Sequence, residues 1–245
     1  MTGTGREPLA GRKVVITRAA EQADDLAALV AATGATPVVV PLVAIESVPL
    51  EVDRLERTDT SEFEWLVVTS PNGARSFGDS GCAAPSNVAA VGTATAAALA
   101  DFGIAATFVP SRQNAEGMLA ELPAHMAGRV LLVQAEAAEP TLADGLRARG
   151  CAVTVVTPYR TVAVRPSAAD QLAALSADAV LFASGSAARA WHAVFGTTTP
   201  ALVVSIGPRT SAAISALGLK VNLEATDYSL SGLVDVLVDH LRNVP

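Results

Sequence analysis

Short runs of contiguous apolar residues, many of them β-branched, alternate along this chain with longer alanine-rich stretches whose apolar positions recur at helical spacing. The runs at 13–17, 36–40, 65–69, 88–91 and 106–109 read as strands, and a second series follows at 130–134, 153–157, 179–183, 202–206 and 220–223. Strands that are apolar throughout, rather than alternating, and that are separated by helices belong to parallel sheets buried on both faces. The expected class is therefore α/β: two similar domains, each a parallel five-stranded sheet with helices on both faces.

The two series are copies of each other. Val67-Val68-Thr69-Ser70-Pro71-Asn72-Gly73-Ala74-Arg75-Ser76-Phe77 matches Leu181-Phe182-Ala183-Ser184-Gly185-Ser186-Ala187-Ala188-Arg189-Ala190-Trp191 in pattern, Ser70 standing 114 positions before Ser184. Val91-Gly92-Thr93-Ala94-Thr95 matches Ile206-Gly207-Pro208-Arg209-Thr210, with Gly92 and Gly207 115 positions apart. Further upstream, the run opening at Gly11 resembles that opening at Gly128, and the run ending at Pro41 resembles that ending at Pro158, both 117 positions apart. A period so much longer than the roughly 20 to 50 residues of a solenoid repeat implies two domain-sized copies of one unit.

In such sheets ligands sit beyond the carboxyl ends of the strands. Four strand ends here run directly into a helix start, at Ser70 to Gly73, Gly92 to Thr95, Ser184 to Ser186 and Gly207 to Thr210. Helix starts carry unpaired amides and partial positive charge, which suit a carboxylate or phosphate, although for any single turn helix capping alone is sufficient explanation. The net charge of −7 would repel an acidic ligand at long range, so local donors would have to hold it.

Composition narrows the classes. A chain that is 51% hydrophobic and 17% charged has enough apolar material for cores and too little charge for disorder. No stretch approaches the roughly 20 apolar residues of a spanning helix, so no membrane partner is expected. The acidic balance argues against nucleic acid. The start, Met1 to Gly11, lacks a secretion pattern, and a cytoplasmic location and a monomer are expected. Cys82 and Cys151 lack ligand spacing, and His125, His192 and His240 fit no paired-histidine metal pattern, so no metal is expected. Gly78-Asp79-Ser80-Gly81 imitates a serine-protease string without its barrel context and reads as a surface turn. No phosphate-loop or dinucleotide fingerprint is present, since Gly3-Thr4-Gly5 opens no helix after a strand.

From about Gly11 to Leu241 the chain resembles the uroporphyrinogen-III synthase family. The resemblance is carried by Ile16-Thr17-Arg18, Thr69-Ser70-Pro71-Asn72-Gly73, Val91-Gly92, Pro158-Tyr159-Arg160-Thr161 and Ile206-Gly207-Pro208-Arg209-Thr210, in that order. It implies two α/β domains joined by two extended crossover segments, with residues 1–41 and 163–245 in one domain, 46–157 in the other, and crossovers at 42–45 and 158–162. It also implies a cofactor-free enzyme acting on hydroxymethylbilane, a linear tetrapyrrole bearing acetate and propionate groups, which is closed with inversion of the last ring. Loss of the terminal hydroxyl gives an electrophilic azafulvene, attack by the far ring follows, and a spiro intermediate inverts the last ring. Free substrate closes without inversion, so the protein's main contribution is geometry.

The same resemblance makes Tyr159 the general acid, facing a cleft between the domains, since a phenol with a pKa near 10 stays protonated at neutral pH. Structurally Tyr159 could instead pack its ring at the crossover with its hydroxyl in solvent. Arg18, Ser70, Asn72, Gly73, Thr93, Ser184, Ser186 and Thr210 are carried over as substrate-carboxylate donors. Arg75 and Arg189 occupy equivalent helical positions and read as solvated. After Gln134 the family often places basic and glycine residues; Ala135-Glu136-Ala137-Ala138-Glu139 departs from this and suggests a local helix extension. The competing classes are a non-catalytic two-domain binding protein for a small acidic ligand and a tandem receiver-like module. The latter needs acidic clusters that Thr17-Arg18 and Gln134 do not supply.

Overall fold

The computed structural model describes residues 8–123 and 126–242; His125 and Gly3-Thr4-Gly5 lie outside the described residues. The chain divides into two compact units, one of Met1–Ala44 with Val162–Pro245, the other of Ile45–Thr161.

In the first unit the sheet order is β10 (Leu223–Glu224), β9 (Leu202–Ser205), β8 (Ala179–Phe182), β1 (Lys13–Ile16), β2 (Thr36–Val39), and every neighbouring pair is parallel. Period-two alternation sends adjacent residues to opposite faces. Val15, Val180, Phe182 and Val203 pack on one side with Trp191 of helix α8 (Gly185–Phe195) and Ile214 of α9 (Pro208–Ala216). Val14, Ile16, Leu181 and Val204 pack on the other with Leu26 of α1 (Asp24–Ala31) and Leu233 and Leu237 of α10 (Leu230–Arg242). Trp191 is wholly buried, edge-on to Phe182, and its indole N–H donates to the Thr198 carbonyl at 3.0 Å.

In the second unit the order is β3 (Val43–Ser47), β7 (Ala152–Ala163), β6 (Arg129–Ala135), β4 (Trp65–Val68), β5 (Asn87–Ala90). The last four are parallel. One face carries Leu66, Val68, Val88, Leu131, Val133 and Val156 under α3 (Pro71–Asp79) and α4 (Thr93–Ala100); the other carries Val67, Ala89, Val130 and Leu132 under α5 (Ala115–Glu121) and α6 (Thr141–Ala148). β3 departs from the all-parallel expectation. The Val48 N–H donates to Pro158 O and the Val164 N–H to Leu42 O, so ascending numbers on one strand meet descending numbers on the other.

Two expected edge strands are shortened, for one shared reason. The segment 106–109 forms a single bridge, Ala89 to Phe108, because the Thr107 hydroxyl accepts from the Val88 N–H at 3.0 Å and donates to the Val88 carbonyl at 3.1 Å. In the first unit Asn222 Oδ1 takes the Val203 N–H at 2.9 Å, and β10 begins only at Leu223. A side chain has replaced the first ladder bond in both copies. The suggested helix extension after Gln134 is also absent: β6 continues to Ala135, a turn follows, and α6 starts at Thr141.

Candidate active site

Each unit presents its polar turns at the carboxyl ends of its own strands. Ser70 ends the turn after β4 and caps α3: its backbone is extended (φ −159°, ψ 159°) and its Oγ accepts the Gly73 N–H at 3.0 Å. Ser184 repeats this after β8, with φ −160°, ψ 154° and an Oγ that accepts the Ala187 N–H at 3.2 Å. The hydroxyls then diverge. Ser184 Oγ meets Ser186 Oγ at 3.0 Å, whereas Ser70 Oγ meets the Tyr159 hydroxyl at 2.6 Å.

Tyr159 reaches Ser70 because β7 is bulged. Val133 pairs with Val156 but Ala135 pairs with Tyr159, so three steps along β7 oppose two along β6. A bulge resets which face a side chain points to. Val156 packs on the α3 face; without the extra residue Tyr159 would point to the opposite face. Pro158, which has no N–H to give to the ladder, lies inside the bulge. Tyr159 is 6% exposed. Burial pushes its phenol above the ordinary value, and the Ser70 hydrogen bond offsets this only in part. A solvated hydroxyl is therefore not what the structure contains.

The remaining candidates divide by exposure and partner. Asn72, half-buried, is the second residue of α3, and Arg75 donates to its Oδ1 at 3.4 Å. Gly73 is buried and its N–H is committed to Ser70. Thr93 is exposed at the start of α4, where its N–H and Oγ donate to Gln113 Oε1 at 2.9 and 3.2 Å. Arg18 follows β1, half-buried, and contacts Gln22 Oε1 at 3.5 Å. Thr210 is only 6% exposed, so among the three candidate hydroxyls of the first unit those of Ser184 and Ser186 are the more open. In the first unit Arg18, Ser184 and Ser186, and Thr210 follow the adjacent strands β1, β8 and β9; in the second, Tyr159, Ser70 and Thr93 belong to β7, β4 and β5 or the turns after them.

Sequence reading missed Gln113 and its counterpart Tyr228, 115 positions later. Gln113 lies over Gly92, where an added Cβ would come within 2.7 Å of its Oε1; the Tyr228 ring lies over Gly207, where a Cβ would come within 2.9 Å. Both precede a capped helix whose third residue is glycine: Asn114 Oδ1 accepts the Gly117 N–H at 2.7 Å, and Ser229 Oγ the Gly232 N–H at 3.0 Å. Extending the same repeat offset into these polar loops would have found all four. Glu121 at the end of α5 holds the Gln113 loop, accepting from the Ser111 N–H and hydroxyl and from the Arg112 N–H. Those amides and that hydroxyl keep its carboxyl below the usual range.

The serine-protease-like string is the C-terminal turn of α3, with the Ser80 hydroxyl donating to Phe77 O at 2.6 Å. Among the described residues no group of three or more His, Cys, Asp or Glu side chains is placed to hold a metal ion, and no helix is long and apolar enough to cross a membrane.

The solved structures this fold resembles include a uroporphyrinogen III synthase variant from Thermus thermophilus, at TM-score 0.66 and 21% identity over 95% of this chain and 99% of that one. Another is the uroporphyrinogen-III synthetase of Helicobacter pylori, at TM-score 0.64 and 18% identity over 94% and 99%. Among relatives by sequence, the uroporphyrinogen-III synthase of Synechococcus elongatus is 28% identical over 93% of this chain and 95% of its own length. The chloroplastic uroporphyrinogen-III synthase of Oryza sativa subsp. japonica is 31% identical over 78% and 68%. The family model described as uroporphyrinogen-III synthase HemD matches residues 24–235. The chain belongs to the uroporphyrinogen-III synthase family.

Proposed function

We propose that this chain converts hydroxymethylbilane to uroporphyrinogen III, closing the linear tetrapyrrole with loss of water and inversion of its last ring, as a lyase that uses no cofactor. The observation that carries the reading is the Tyr159 hydroxyl, buried and fixed beside the N-terminus of α3. Tyr159 donates its proton to the departing hydroxyl, which leaves as water and produces the azafulvene. The phenol regains a proton when the newly closed ring loses one, so the enzyme ends as it began. A positioned acid of this kind supplies about 10² to 10⁴ in rate.

The substrate's acetates and propionates are taken up by donors at the strand-carboxyl edge of each unit. Arg18, Ser184, Ser186 and Thr210 serve in the first and Asn72 in the second, whereas Gly73, whose one N–H goes to Ser70, and Thr93, whose N–H and hydroxyl go to Gln113, contribute only through the partial positive charge of their helix starts. These local donors offset the repulsion expected from a chain of net charge −7.

The test is turnover of freshly generated hydroxymethylbilane by wild type and by Tyr159→Phe. The variant keeps the buried ring and loses one hydrogen bond, a cost of about 1 kcal/mol, so it should fold while kcat falls about 10²-fold or more. Wild-type turnover in a folded Tyr159→Phe protein removes Tyr159 from the reaction.

A further inference from the structure

We propose that Ser70 is a positioning residue for Tyr159: its hydroxyl donates to the phenol oxygen, leaving the phenol proton directed at the substrate. The inference rests on Tyr159 being the proton donor of the reaction, and it gives Ser70 a different task from holding a substrate carboxylate.

Hydrogen-bond capacity sets the argument. A serine hydroxyl has one proton and two lone pairs. One lone pair of Ser70 Oγ takes the Gly73 N–H at 3.0 Å, and accepting that bond polarises the hydroxyl and makes it a stronger donor. Its proton then meets the Tyr159 oxygen at 2.6 Å, at the short end for a bond between hydroxyls. The opposite polarity would spend the phenol proton on Ser70 and leave none for the substrate. Donation from Ser70 also stabilises the phenolate that forms once the proton has left, at a buried position where desolvation disfavours it.

The internal repeat supplies a control within the molecule. Ser184 has the same backbone angles and the same cap as Ser70, so capping accounts for a serine at both places. The tyrosine tie is confined to the second unit. Leu42, which follows Pro41 as Tyr159 follows Pro158, is fully buried in the first unit's core. The bulge that turns Tyr159 toward α3 is likewise a feature of β7.

The chain has two tyrosines, so Tyr228→Phe leaves Tyr159 as the only source of the tyrosine Fermi doublet in the Raman spectrum, whose intensity ratio reports whether a phenol accepts or donates a hydrogen bond. In that background the doublet should show a phenol that accepts. Adding Ser70→Ala should abolish the acceptor signature and Ser70→Thr should keep it. Adding Ser184→Ala removes the twin cap and should leave the doublet unchanged. In turnover Ser70→Ala should lower kcat about 10- to 100-fold with little change in KM, and Ser70→Thr should restore it. A donor-type doublet in the Tyr228→Phe protein overturns the proposal, and that measurement needs no Ser70 variant to fold. So does a Ser70→Ala protein with wild-type kcat alongside an inactive Tyr159→Phe, an outcome that leaves the proton-donor reading standing. An active Tyr159→Phe defeats that reading instead, and with it the role given to Ser70.

Discussion

Ser70 Oγ and Tyr159 Oη lie 2.6 Å apart although β4 and β7 are separated in the sheet by β6. The bulge in β7 carries the phenol across the end of β6, and the cap of α3 meets it. The arrangement buries a group that ionises at high pH, with a consequence for stability. Burial raises the Tyr159 pKa in the folded protein above its unfolded value of roughly 10. The folded state therefore holds this proton more tightly, and the associated stability is fully present below the unfolded pKa and lost as pH rises through the folded one. Chemical unfolding followed above about pH 10 should show wild type losing stability more steeply than Tyr159→Phe. Parallel slopes would mean that the phenol is not desolvated.

Gly117 and Gly232 make the same close approach in the two copies. An added Cβ would lie 2.0 Å from Arg112 O and 2.2 Å from Asp227 O, distances that require the backbone to move. Gly117→Ala and Gly232→Ala should each cost about 1 to 3 kcal/mol in denaturant unfolding. A neutral or stabilising alanine at either site would contradict the packing of the capped turns before α5 and α10.

Asp178 joins the starts of β1 and β8, accepting from the Arg12 guanidinium at 2.7 Å and the Lys13 N–H at 2.8 Å. Partial burial raises its carboxyl pKa, but the Lys13 amide and Arg12 together outweigh this and leave it below the ordinary value. A depressed carboxyl contributes stability above its unfolded pKa of about 3.9 and loses it as pH falls through the folded value. Asp178→Asn should thus be less stable than wild type by about 1 kcal/mol at neutral pH, with the gap closing below about pH 4. A gap that persists at low pH would assign the loss to packing rather than charge.

Much of this architecture is legible in the sequence because the repeat carries its own confirmation. Val67 to Phe77 and Leu181 to Trp191 match in pattern, and the structure gives Ser70 and Ser184 the same cap and nearly the same backbone angles. Tyr159 entered only through the resemblance. Its tie to Ser70 depends on a one-residue register shift around Pro158, and a run of apolar residues does not announce that shift. Edge segments are shorter than their composition suggests for a related reason. Residues 106–109 look like a strand by composition, but the Thr107 hydroxyl satisfies backbone groups that a longer ladder would have used. Gln113 and Tyr228 lie in polar loops, which carry no hydrophobic period to mark them, although the repeat offset reaches both. The reading as a non-catalytic binding protein gains no support from the relatives, which share the synthase name.

The most direct measurement is the isomer composition of the product. Freshly generated hydroxymethylbilane is incubated with the wild-type chain, the product is oxidised, and the porphyrins are separated against an enzyme-free control. Predominantly type III porphyrin, formed faster than the control closes, is the expected result. Type I porphyrin alone, at the control rate, would contradict catalysis of ring inversion by this chain.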